Sequence, residues 1–136
     1  MLEIDVYLGL DTVIPPIAGA PAKKVEPDLG AAHSGDDIIW HIHSLDDTIE
    51  YVQVEFDSGV DFFDKRGGGK THKRHAKVEK PGKSGGHGHV FGISPSFGGG
   101  TQANKYTVKA YDGNPDSGGK IISKYTIDPT IVTCDP

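Results

Sequence analysis

One cysteine, one methionine and one tryptophan occur in 136 residues. The lone thiol, Cys134, allows no disulfide within the chain, so the fold rests on packing alone. That suits a reducing compartment. The opening Met1-Leu2-Glu3-Ile4-Asp5 lacks the positive and apolar regions of a secretory signal, which favours a cytoplasmic location. A leader already removed would make the protein secreted or periplasmic. No apolar run reaches the roughly 18 residues that a membrane-spanning helix needs, so no span is expected. No motif places a catalytic nucleophile, base or acid, and no enzymatic activity is expected.

Glycine and proline are abundant instead, at 19 and 9 residues. Glycine stands at about twice its usual ~7% share. With Asp and Thr, these residues mark a chain of short strands and turns rather than helices. The length suits one domain spanning residues 1–136.

Hydrophobic period two supports the strand reading. Leu2, Ile4, Val6 and Leu8 alternate with polar neighbours. The stretch 13–25 holds Pro15, Pro16 and Pro21 and reads as an extended connection, with a short edge strand around 23–27. A strand over 38–44 turns Ile38, Trp40 and Ile42 inward and Ile39, His41 and His43 outward. A strand over 50–57 buries Val52, Val54 and Phe56, and Phe62 or Phe63 closes one end of the core. Further strands are expected at 89–93, at 105–111 with Tyr106, Val108 and Ala110 on one face, at 120–127 and at 130–133. The expected core also includes Tyr125 and Ile127. Seven or eight such strands, with turns every 8–12 residues, predict an all-β, two-sheet Greek-key sandwich.

Charge is strongly segregated. The window from Lys65 to Val90 holds Lys65, Arg66, Lys70, Lys73, Arg74, Lys77, Lys80 and Lys83 against Glu79 alone. The other 110 residues hold 18 acidic and 6 basic side chains. A field of that kind acts on partners. The window is polar and glycine-rich, so it reads as a long exposed loop inserted into the sandwich. Its eight cations form the expected partner-binding surface, docking onto an acidic protein or onto another copy of this chain. Nucleic acid or another polyanion is the competing partner for the same cations. The acidic body and the lack of an aromatic before Phe91 argue against it.

Four of the seven histidines, His72, His75, His87 and His89, fall in that window. Neutral imidazoles suit Cu, Ni or Zn, and four can close a site if the loop folds back on itself. His41 and His43, two apart on one strand, project from the same face and offer a second pair. The simpler account makes all six incidental polar residues, with no cofactor. Gly67-Gly68-Gly69-Lys70-Thr71 is no phosphate loop, because Asp64 stands where G-x-x-x-x-G-K-[ST] needs glycine. Asp36, Asp37, Asp46 and Asp47 read as turn formers rather than calcium ligands.

Three segments carry a family resemblance. Gly35-Asp36-Asp37-Ile38-Ile39-Trp40 resembles the G-D-x-I-x-W opening of a strand in cupredoxin-like domains. Residues 105–111 are similar to their penultimate strand, written Y-x-Y-x-V. Asp128-Pro129-Thr130-Ile131-Val132-Thr133-Cys134-Asp135-Pro136 resembles the D-P-x-I-x-V-x-D-P ending of small bacterial cupredoxin-like proteins. The likeness runs over roughly residues 25–136. It implies a cupredoxin- or immunoglobulin-like sandwich with the basic window as an insertion. It does not imply a type-1 copper site. The family's Cys, His and Met ligands share one loop, whereas here only Asp135 and Pro136 follow Cys134 and the sole methionine is Met1.

Overall fold

A computed structural model describes residues 2–8, 24–25, 30–33, 35–44, 46–65, 67–80, 86–95 and 100–135. Most of the proline-rich connection, together with Arg66 and Lys83, lies outside the described residues. The protein is all-β, with no α-helix among the described residues. Its strands are β1 (Leu2–Leu8), β2 (Lys24–Val25), β3 (Gly30–Ala32), β4 (Asp37–Ser44), β5 (Tyr51–Phe56), β6 (Phe63–Asp64), β7 (Lys70–Thr71), β8 (Lys73–Lys77), β9 (Gly86–Ile93), β10 (Gly100–Tyr111) and β11 (Thr130–Asp135). They form one sheet in the order β2-β1-β4-β9, a second in the order β3-β11-β10-β5-β8, and a small β6-β7 ladder.

Alternation sets the inner faces. Strand β1 runs parallel to β4, with Ile4 opposite Trp40 and Val6 opposite Ile42. In the other sheet, Val54 and Phe56 of β5 stand opposite Val108 and Tyr106 of β10. The Trp40 ring lies 6.1 Å from Phe56, 5.7 Å from Phe63 and 5.6 Å from Tyr106, centroid to centroid. Those contacts join the two sheets in one hydrophobic core. Phe62 and Phe63 are both buried, and Phe62 stacks on Phe56 at 3.8 Å. Each large apolar side chain taken fully out of water contributes about 1.5–3 kcal/mol. Every residue of the expected core is buried except Leu2, which packs against its rim.

The basic window differs from its expected loop form. Strand β8 pairs antiparallel with β5 and extends that sheet. Strand β9 begins inside the window and pairs with β4 over its whole length. Val78 between them is buried. The window folds because its glycines fill a tight seam. A Cβ on Gly88 would stand 3.0 Å from the Lys77 carbonyl oxygen, and just past the window one on Gly92 would stand 2.9 Å from that of Phe62. Glycine therefore replaces apolar residues on the inner face of β9. The run Gly67, Gly68 and Gly69 has φ of 90°, 103° and 81° in the turn between β6 and β7. Only glycine adopts three such angles in succession without strain.

The expected strand over 120–127 is also replaced. Ile121 and Ile127 make single bridges to Tyr111 and Val108, and a 3-10 turn, Ser123–Tyr125, lies between them. Tyr125 and Ile127 reach the core from this irregular path. Among the described residues eleven strand segments thus stand where seven or eight are expected, since edge pieces of two or three residues carry no periodic signal.

Candidate functional site: a histidine and carboxylate face

The outward side of the first sheet is chemically unusual. Because Ile4, Val6, Trp40 and Ile42 point inward, Glu3, Asp5 and Tyr7 of β1 and His41 and His43 of β4 point outward. On β9, buried Gly86, Gly88 and Val90 alternate with exposed His87, His89 and Phe91. The register places Asp5, His41 and His89 in one row across the sheet, and Tyr7, His43 and His87 in the next. Four histidines therefore share one face.

The contacts are ordered. His41 Nε2 lies 3.0 Å from Glu3 Oε1, and His43 Nε2 lies 2.9 Å from Asp5 Oδ1. Tyr7 stacks on the His43 ring at 4.6 Å and 13°. His41 and His89 stand edge to face at 5.1 Å, and His43 and His87 do so at 5.5 Å. His41 and His43 are 25% and 33% exposed, open enough for a solute to reach. Glu79 pairs with His87 on its other side, extending the second row by a carboxylate-bearing position.

The other window histidines are not part of this face. His72 precedes β8 and lies 3.6 Å from Glu55, while His75 lies on β8, 3.5 Å from Asp116. The chain switches sheets between β8 and β9, and that divides the expected quartet His72, His75, His87 and His89. His41 and His43 join His87 and His89 in its place. A Gly-His-Gly-His alternation was the available signal, hidden because glycine scores as neither apolar nor polar in a period-two reading.

The window's cations are divided too. Lys80 bonds Glu50 at 2.6 Å and also the Asp47 carbonyl, and Lys70 lies 3.6 Å from Asp64. Arg74 donates to the Phe91 carbonyl at 3.4 Å. It also lines a cleft of about 290 Å³ with Asp37, Asp64 and Phe91, which the four outward histidines do not border. Lys73 and Lys77 lie exposed on the outer side of β8 without an ion pair among the described residues. Lys65 is exposed at the start of the β6-β7 turn.

Beside Lys73 the second sheet carries a paired charge. Lys109 donates to Glu55 Oε1 at 3.0 Å. That bond holds the Glu55 carboxyl below the usual carboxylate range against the opposing effect of burial, and Lys73 and His72 add to it. Glu55 in turn holds Lys109 above the usual ammonium range. At a remote turn, Asp46 accepts from the Thr48 backbone and hydroxyl and from the Tyr125 hydroxyl. Burial raises its pKa, but those bonds and the Lys124 ammonium outweigh it and leave the group below its ordinary value. Asp36 likewise accepts from the His33 backbone, so both act in turns.

No protein-family model and no curated protein sequence is significantly similar to this chain. No helix among the described residues is long and apolar enough to cross a membrane.

Proposed function

We propose that the protein is a non-catalytic assembly module on a cupredoxin- or immunoglobulin-like Greek-key sandwich, docking through its cationic edge onto the acidic face of another copy. One observation carries this reading. Lys73 and Lys77 are exposed on the outer side of β8, the last strand of its sheet, and neither makes a direct ion pair among the described residues, with Lys73 acting on Glu55 only at longer range, while Glu3 and Asp5 stand on the outer face of the other sheet. Opposite charges on two separate faces of one molecule permit head-to-tail contact, which repeats into rings or filaments. Such contact weakens as salt screens it.

The competing account assigns the lysines a protective role. Edge strands commonly carry Lys to prevent unwanted pairing with another sheet. The two accounts give opposite outcomes for the double substitution Lys73→Thr/Lys77→Thr. Under docking, sedimentation velocity finds association of the wild type at low salt, dissociation at high salt and a monomeric variant throughout. A wild type that stays monomeric at every ionic strength overturns the proposal. A variant that associates more than the wild type also overturns it, and assigns the lysines to edge protection.

A further inference from the structure

The histidine face, whose Glu3 and Asp5 the docking reading also uses, carries an inference that rests on different observations. His87 donates its backbone N–H to the Glu79 carbonyl and accepts from the Glu79 N–H, both at 2.7 Å. A strand residue directs both main-chain groups to the same side, so His87 meets His43 as a non-hydrogen-bonded pair, the kind with the closer side chains. His89, two residues on, meets His41 in the same way. The ring centroids, 5.1 and 5.5 Å apart, lie at 82° and 89°. Two imidazoles bound to one metal ion at about 2.0–2.1 Å have centres roughly 5 Å apart.

The carboxylates supply the supporting shell. A metal-binding histidine nearly always holds its other ring nitrogen against a carboxylate or carbonyl, which fixes ring and tautomer. Glu3 and Asp5 occupy Nε2 of His41 and His43, leaving Nδ1 of each as the donor atom. An ordinary polar face accounts for those two contacts. It does not account for His87 and His89, whose rings have only ring partners among the described residues, His43 for the first and His41 and Phe91 for the second.

We infer that His41/His89 and His43/His87 are cross-strand chelating pairs for a borderline divalent transition-metal ion of the Zn(II), Ni(II) or Cu(II) class. Side chains of three His, Cys, Asp or Glu residues do not already converge on one point among the described residues. Each ion therefore takes two imidazoles and completes its shell with water. Glu79 stands beside His87 and joins the second pair as a third donor by side-chain rotation.

Titration calorimetry of the full chain with ZnCl2 and with CuCl2, at high ionic strength to suppress charge docking, tests the assignment. The expected result is uptake of up to two ions per chain. His87→Gln/His89→Gln abolishes uptake, and His72→Gln/His75→Gln leaves it unchanged. Asp5→Asn, which removes only a supporting bond, weakens the His43/His87 pair by about tenfold or more. Because the ion binds the native pairing of β4 and β9, excess metal also raises the melting temperature of the wild type, a readout that needs no variant. Absence of both heat and a melting shift up to about 1 mM metal overturns the inference. So does uptake that survives His87→Gln/His89→Gln or is lost in His72→Gln/His75→Gln.

Discussion

The Trp40 ring lies edge-on to Tyr106, with centroids 5.6 Å apart and planes at 72°. One ring belongs to each main sheet, and both are fully buried. Offset and edge-on aromatic pairs add about 0.5–1.5 kcal/mol beyond burial alone. Trp40 also touches Phe56 and Phe63, while its indole Nε1 is buried with no hydrogen-bond partner among the described residues. Trp40→Ala is expected to cost about 3–5 kcal/mol in urea melts. A loss under about 1 kcal/mol would mean that the ring does not join the sheets.

Gly92 should resist substitution by even a methyl group. A Cβ there meets the Phe62 carbonyl oxygen at 2.9 Å and Trp40 Cζ3 at 3.1 Å. Neither atom is the end of a flexible chain, so backbone or core must shift. Gly92→Ala is expected to cost about 1–3 kcal/mol by denaturant unfolding. An unchanged midpoint would contradict the close approach of the β6 region to β9.

The Glu55–Lys109 pair predicts a stability plateau with two shoulders. A carboxyl whose pKa is lowered on folding contributes stability that is fully present above its unfolded pKa, about 4.3, and lost as pH falls through the lowered value. An ammonium whose pKa is raised contributes stability that is present below its unfolded pKa, about 10.4, and lost as pH rises through the raised value. Solvent reaches both groups, so the pair is worth about 1 kcal/mol or less. The wild type should therefore exceed Lys109→Met by a constant amount near neutrality, with the gap closing below about pH 4 and above about pH 10.5. A gap that widens in acid would refute the assignment.

Tyr125→Phe tests the Asp46 turn. The phenol donates to a carboxylate held ionised, a bond class worth about 1.5–3 kcal/mol. The loss should be full at pH 7 and shrink as acid protonates Asp46 through its lowered pKa. Equal losses at pH 7 and in strong acid would point to packing instead.

Strands with one apolar and one polar face were legible in the sequence. The Leu2–Leu8, Ile38–Ile42 and Val52–Phe56 alternations place the inner faces of three strands, and the outward direction of His41 and His43 follows from them. Strand β9 was legible only from His89 on, because Gly86 and Gly88 bury backbone and have no side chain to mark the face. Strand β8 was hidden because an edge strand needs few apolar residues. The grouping of His41 with His89 depends on register between strands far apart in the chain, which no local spacing encodes. The 3-10 turn at Tyr125 escaped because the buried Tyr125 and Ile127 keep a strand-like spacing while the chain between them does not pair.

Strand β9 gives each of its positions a separate duty, with size restricted on the even-numbered residues and chemistry displayed on the odd. Exchange of His87 or His89 for other polar residues would leave the scaffold intact and alter only the chemistry that the outer face displays. Insertion of a single residue would turn the imidazoles toward the Trp40 side and the glycines toward solvent, so the scaffold and the displayed histidine face would be lost together. In such a segment point substitutions on the outer face spare the fold, whereas a change of length does not.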